Sequence, residues 1–196
     1  MSHYFDAKQD EVKSNPKVVD FNFATIEFSF KTDHGTFSKD HIDSATELLL
    51  KNINPLNAKN ALDLGCGYGT IGIILNKVYG LDTIMVDVNE RALALAEENV
   101  KRNNASANIL KSDGFNALKG QTFDLIISNP PIRIGKEKLY QLFRDAYDYL
   151  NSGGRMILVM HKKHGALSAM TYLKTRYTVS LIKKHKGFHV IECKKH

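Results

Sequence analysis

The sequence predicts an α/β protein: a doubly wound, mostly parallel sheet with helices on both faces and its last strand antiparallel. Three observations carry this. An apolar stretch at 60–64 runs into an acid and three alternating glycines, Asp63-Leu64-Gly65-Cys66-Gly67-Tyr68-Gly69, and Thr70-Ile71-Gly72-Ile73-Ile74-Leu75 then continues at helical spacing. Strand-like and helix-like segments alternate from there to residue 174. The chain closes on two strand-like runs split by Lys183-Lys184-His185-Lys186-Gly187, too short a connection for a helical crossover, so these two are antiparallel.

Each element has its own signal. Residues 1–22 are polar and read as an N-terminal arm, with 23–196 as one domain. Ile26, Phe28 and Phe30 recur at period two and predict a strand over 24–30. Asp33-His34-Gly35 is a turn signal, and Ser38 is placed to cap a helix over 40–53 carrying Ile42, Ala45, Leu49 and Ile53. Strand 61–64 and helix 70–79 follow, then strand 83–87 and a helix over 90–103 capped by Asn89. Short strands are expected at 107–110 and 123–128. The clearest helical period runs over 137–150, with Asn151-Ser152-Gly153-Gly154 reading as its C-terminal stop. Strand 155–160, helix 165–174 and strands 177–182 and 188–193 complete the chain.

Composition bounds the function. With 196 residues, 43% of them hydrophobic, the chain can bury the core of one domain. No apolar run approaches the roughly 20 residues of a membrane span. The N-terminus lacks a basic patch followed by an apolar stretch, so no secretory signal is expected. Cys66 and Cys193 form no framework, and reduced thiols in a cytoplasm suit them better than a disulfide. No His/Cys/Asp cluster has ligand spacing, so no metal is expected. Net charge is +6 and unevenly spread: residues 161–196 hold nine Lys/Arg against Glu192 alone, a net +8. Such a tail is either a surface for a polyanion such as nucleic acid or a solvated edge.

Four features fall at strand carboxyl ends, where ligands bind in open α/β sheets. The glycine turn has two registers. Gly67-x-Gly69-x-x-Gly72 fits a dinucleotide fingerprint, and Asp63-x-Gly65-x-Gly67-x-Gly69 fits the acidic-first turn of S-adenosylmethionine (SAM) enzymes. SAM carries an ammonium and no phosphate, which suits an acid near the turn, whereas a pyrophosphate wants free amides at a helix N-terminus. Asp87, ending its strand, can accept ribose hydroxyls of either nucleotide, or serve only as an acid ahead of a helix. Ser112-Asp113-Gly114 is a turn signal that could also place a carboxylate near an adenine amine. The fourth is Asn129-Pro130-Pro131-Ile132 after strand 123–128. Two prolines fix two φ angles and remove two donors, leaving the Asn129 side-chain oxygen and the Pro130 carbonyl as acceptors for a planar NH2 group.

On these motifs the chain resembles the class I SAM-dependent methyltransferases, within them those with an Asn-Pro-Pro-aromatic motif that methylate amino groups. Gly35-Thr36-Phe37-Ser38-Lys39-Asp40-His41-Ile42-Asp43, Asn129-Pro130-Pro131-Ile132-Arg133-Ile134-Gly135-Lys136 and Lys186-Gly187-Phe188 are similar to the RsmC type, guanine-N2 methyltransferases of small-subunit ribosomal RNA. The resemblance implies a Rossmann-like seven-stranded mixed sheet and a SAM pocket bordered by Phe37 and Ser38. The expected cofactor contacts are then Phe37, Ser38, Asp63, Gly65, Cys66, Gly67, Gly69, Asp87, Val88, Asp113 and Gly114. Asn129, Pro130 and Pro131 would be catalytic, and Ile132, Arg133 and Lys136 would meet substrate. The expected partner is RNA, in free ribosomal form or in the small subunit. Two departures stand out. Ile132 replaces the usual stacking aromatic, and the extra N-terminal domain of longer RsmC-type proteins is not in this sequence. Recognition would then fall to the arm, the 133–138 loop and the basic hairpin. Competing readings are a protein glutamine methyltransferase with the same amide-holding motif, a non-catalytic SAM- and RNA-binding assembly factor, and a nicotinamide oxidoreductase, for which the Pro-Pro motif has no role.

Overall fold

The computed structural model describes residues 15–33, 40–55 and 57–196. The first strands, β1 (Lys17–Phe23) and β2 (Ile26–Thr32), pair antiparallel from Lys17↔Thr32 to Phe23↔Ile26 as a separate two-stranded sheet. Their two-residue turn places Ala24 and Thr25 at φ 49° and 66°, the left-handed geometry that matches strand twist. This corrects the reading of 17–22 as part of a loose arm. Val19, Phe21 and Phe23 alternate inward against the core with Asp20 and Asn22 between them, a period-two signal that a turn without glycine leaves without a hairpin marker. The rest of the expected arm, 1–14, lies outside the described residues, as do His34, Gly35, Phe37 and Ser38.

Helix α1 (Ser44–Asn52) starts later than expected, and its cap is Asp43 rather than Ser38. Thr46 N–H donates to Asp43 Oδ2 at 3.0 Å. Ile42 and Ile53 are buried but flank the helix.

The main sheet follows the predicted alternation: β3 (Asn60–Leu64), α2 (Thr70–Tyr79), β4 (Asp82–Asp87), α3 (Glu90–Arg102), β5 (Ala107–Lys111), β6 (Phe123–Ser128), α4 (Lys136–Ala146), β7 (Leu150–His161), α5 (Ala166–Leu173), β8 (Thr178–His185) and β9 (Phe188–Lys194). The seven strands lie in the order β5-β4-β3-β6-β7-β9-β8, and only β9 runs against its neighbours. Period two sorts the strand residues onto two cores. Ala61, Leu125, Ile127, Ile157 and Val190 face α1, α2 and α3; Leu62, Ile126, Met156, Leu158 and Ile191 face α4 and α5. From β3 the chain winds outward to β4 and β5, then returns to lay β6 on the other side. The β3–β6 border is therefore the switch point where the following loops diverge and leave a cleft.

One boundary differs in kind. The helix expected over 137–150 ends at Ala146, and Asn151-Ser152-Gly153-Gly154 is not its stop but a bulge inside β7. Pairing steps from Phe123↔Leu150 to Leu125↔Arg155 across it. Gly153 takes φ 71°, and a Cβ on Gly154 would fall 2.9 Å from Asn151 O and 3.0 Å from Phe123 O. Glycine is required there by close backbone approach. Among the described residues, no helix is long and apolar enough to cross a membrane.

Candidate active site

The cleft begins at the turn after β3. Gly65 N–H and Cys66 N–H both donate to Val86 O at 2.9 Å, which pins the turn to the end of β4. Gly65, Gly67 and Gly69 have φ of 75°, 55° and 94°, open to glycine at little strain. Asp87 clamps this turn to the next one: its Oδ2 accepts from Gly67 N–H at 2.9 Å and its Oδ1 from Asn89 N–H at 3.0 Å. Burial raises the Asp87 pKa, against the pull of the Asn89, Gly67 and Val88 amides. Beneath the turn, Asp63 is fully buried. Its Oδ2 accepts from Gly72 N–H at 2.8 Å, while its Oδ1 has no partner. Burial pushes its carboxyl up to about 7, with the Gly72 amide opposing and the Asp87 charge adding. Gly72 owes its identity to packing: a Cβ would come within 2.3 Å of Met85 Sδ, so α2 lies directly on β4. That accounts for the last glycine of the dinucleotide register without a pyrophosphate.

Across the switch point, Asn129 leaves the end of β6. Ser128 Oγ donates to Leu64 O at 2.7 Å and ties this strand end to that of β3. The Asn129 Nδ2 group donates to Asp43 Oδ2 at 2.9 Å and to Thr46 Oγ1 at 3.1 Å. Asp43 therefore does two things with one oxygen: it caps α1 and it holds the amide. With both N–H bonds committed, the Asn129 side-chain oxygen is the atom left for a ligand. Pro130 and Pro131 follow, and Ile132–Ile134 make one turn of 3-10 helix.

These parts surround a cavity of about 460 Å³, within the range of small-molecule sites. Of the residues expected from sequence, Gly65, Cys66, Gly67, Asp87, Asn129, Pro130, Pro131, Ile132 and Arg133 line it, and a Cβ on Gly65 would lie 3.9 Å from Pro131 Cδ. Asp63 lies behind the wall, and Gly69 is turned into Ile73, Ala96 and Met85. Val88, Asp113, Gly114 and Lys136 are not in the wall either. Asp113 is exposed in a turn closed by Ser112 Oγ, which donates to Gly114 O at 2.9 Å and accepts from Ala117 N–H at 3.1 Å. The Lys136 ammonium sits 5.3 Å over the Tyr140 ring. Phe37 and Ser38 lie outside the described residues.

Sequence reasoning missed further wall residues, Tyr68, Thr70, Ile71, Asn89 and Ala92 beside the expected turn residues and two groups from elsewhere in the chain. Asp43 and Thr46 come from α1, and the cap pattern ahead of Leu48-Leu49-Leu50 was their signal. Val159, Met160 and His161 come from the carboxyl end of β7, with His164 and Phe188 beside them. For these the only signal was the rule that ligands gather at strand carboxyl ends. Cys66 carries no thiolate chemistry: burial first, then the Asp63 and Asp87 charges, push its thiol well above the ordinary value. Among the described residues, no three His, Cys, Asp or Glu side chains gather as a metal site.

The glycine turn thus brings one hydrogen-bond-accepting carboxylate, Asp87, to the wall, with the orphan Asp63 oxygen buried behind it, and Asn129 and Pro130 bring neutral acceptors. The first suits hydroxyl or ammonium donors, such as SAM presents, and the second suits an NH2 group.

The family model described as "Methyltransferase small domain" matches residues 27–192. The protein YbxB of Bacillus subtilis (strain 168) is 38% identical over 200 residues, across the whole of both chains. Ribosomal RNA small subunit methyltransferase C of Haemophilus influenzae (strain 86-028NP) is 37% identical over 123 residues, covering 60% of this chain and 37% of that protein. The chain therefore spans well under half the length of that relative. Among solved structures, the T. thermophilus 16S rRNA N2 G1207 methyltransferase (RsmC), in complex with AdoMet and guanosine, superposes with a TM-score of 0.83 at 23% identity, over 92% of this chain and 51% of that one. A methyltransferase from Pyrococcus furiosus gives 0.68 at 28% identity, over 76% and 80%.

Proposed function

Since the chain belongs to the methyltransferase small domain family and is a SAM-dependent methyltransferase, we propose that it methylates an exocyclic amine of a nucleobase in RNA, with guanine N2 of small-subunit ribosomal RNA as the acceptor. One observation carries this reading. The Asn129 amide is locked by Asp43 and Thr46, so its oxygen stands in the cleft as an acceptor beside Pro130. Bound SAM supplies an electrophilic methyl on a positively charged sulfur. Asp87 and the Gly65–Gly67 backbone would hold its nucleoside, and Asp63, bonded to the Gly72 amide, would brace the turn behind its amino-acid end.

The chain's own residues supply position and electrostatics. Asn129 Oδ1 and Pro130 O accept the two N–H bonds of the amine and turn its lone pair toward the methyl. Both acceptors gain strength as positive charge grows on nitrogen, so they favour the transition state over the ground state. The proton then leaves to solvent, and no protein base is required. The relatives named as ribosomal RNA methyltransferases support an RNA acceptor, and the net +8 of residues 161–196 gives a phosphate backbone its counter-charge. A protein glutamine side chain would use the same two acceptors without needing that charge.

The test is direct. The protein is incubated with methyl-labelled SAM and, separately, free ribosomal RNA, assembled small subunits, transfer RNA and a release-factor protein. Any methylated site is mapped by mass spectrometry. Label on guanine N2 of the small-subunit RNA supports the proposal, and label on protein alone sinks it.

A further inference from the structure

The cavity has a wall that methyl transfer, as described, leaves unused. After Pro131 the lining is aliphatic: Ile132 is 36% exposed and offers no ring. The ends of the last sheet strands offer two. His161 at the end of β7 and Phe188 at the start of β9 are direct cross-strand partners, so their side chains share one face of the sheet. Their rings meet edge to face, with centroids 4.8 Å apart and planes at 78°. The His164 ring lies 5.5 Å from that of His161. All three line the cavity.

The pair is held in place from outside the cavity. Lys163 N–H donates to His161 Nδ1 at 3.1 Å, so in the neutral ring the proton sits on Nε2. Lys162 N–H donates to Gly187 O at 2.8 Å and fixes the hairpin that delivers Phe188. Gly187 itself makes room: a Cβ there would fall 2.5 Å from His161 Nε2. Phe188 also touches the α1-side core, so a purely structural role is the competing explanation and the test must separate the two.

We propose that Phe188 and His161 form the stacking wall for the acceptor base, with Ile132 closing its other face. The aromatic surface comes from the β7–β9 strand ends instead of the fourth motif position. The ligand class is a planar heterocycle bearing an exocyclic amine beside a ring nitrogen. The inference rests on the RNA-amine reading above.

The probe is a single-stranded oligoribonucleotide in which 2-aminopurine, fluorescent and quenched by stacking, replaces the target guanine. Quenching is measured on the SAM-loaded protein for wild type, Phe188→Leu, His161→Leu and the double variant Phe188→Leu with Ile132→Phe. Leucine keeps apolar volume in the core while removing the ring. Phe188→Leu is expected to lose most of the quenching and to raise KM for RNA about tenfold, in keeping with the loss of one base–aromatic stack. SAM affinity and melting temperature are expected to hold, and Ile132→Phe to restore much of the loss. Unchanged quenching and KM in both single variants would overturn the inference, as would a KM defect matched by an equal loss of SAM affinity. The RNA-amine reading is scored separately. Wild-type protein that methylates no RNA removes that reading and the inference with it; an active wild type beside fully active variants removes the inference alone.

Discussion

At the residue scale, the site depends on side chains whose partners are far away in sequence. Asp43 and Asn129 are 86 positions apart, yet one carboxylate oxygen caps α1 and holds the amide. Asp43→Ala should lower stability by about 1 kcal/mol through the lost cap. It should also lower kcat about tenfold or more by freeing the Asn129 amide to rotate, as for loss of a group that positions a reacting partner, with SAM affinity held. Calorimetry and steady-state kinetics on one preparation check both parts. Asp63 gives a pH prediction. Its pKa rises on folding from 3.8 to about 7 because burial disfavours the charge. The folded state then binds more protons than the unfolded between these values, so this group's contribution falls as pH rises from about 4 to 7 and is flat above. Asp63→Asn should flatten that part of the stability–pH curve in denaturant titrations; an unchanged slope would show that Asp63 is ionised throughout. The places of Asn129 and Asp87 in the cavity wall were legible because each stands at a strand end beside its own motif. That of Asp43 was not, because a helix cap looks the same in sequence whether or not it also holds a distant amide.

At the scale of elements, the least legible feature is how the N-terminal hairpin docks. Helix α3 presents two asparagines to the open edge of β2 in the manner of a third strand. Asn103 bonds both ways with Ser29, at 2.9 Å each. Asn99 accepts from Lys31 N–H at 2.7 Å and donates to Lys31 O and Tyr68 O at 2.9 Å. The hairpin is thereby fixed to the glycine turn itself. Asn99 is fully buried, so Asn99→Ala removes the hydrogen bonds it makes to Lys31 N–H, Lys31 O and Tyr68 O. It should destabilise by about 2–3 kcal/mol, and the half-buried Asn103→Ala by less, as denaturant midpoints will show. Strand and helix periods in the sheet were legible because burial on both faces enforces them. The amide clamp was not, since Asn99 and Asn103 read as ordinary polar positions near a helix end. Gly153-Gly154 misled for a related reason: glycines that stop a helix and glycines that permit a bulge have the same sequence signature.

At the scale of the whole molecule, topology collects the site. The turn after β3, the N-terminus of α1, the end of β6 and the ends of β7 and β9 meet at one switch point, although they span residues 43 to 188. The fold class was readable from alternation and the closing hairpin, while the strand order that brings His161 and Phe188 to Asn129 needed the sheet assembled. The charge asymmetry is also global. Lys183, Lys184 and Lys186 are exposed on and beside the edge strand β8. Replacing all three by Glu should weaken RNA binding and make the dependence of log Kd on log salt shallower by about 2, given roughly 0.7 per single-strand phosphate contact. Fluorescence titrations across a salt series read that slope, and an unchanged slope would place the RNA elsewhere. The central claim is that the braced Asn129 oxygen orients the amine that receives the methyl. Its most direct test is the single-turnover rate of Asn129→Ala on saturating RNA and SAM, measured beside SAM affinity. A fall of about 100-fold or more, the scale of losing one preorganised charge-stabilising group, with SAM affinity unchanged, is the expected result. A variant that transfers methyl at the wild-type rate would contradict it.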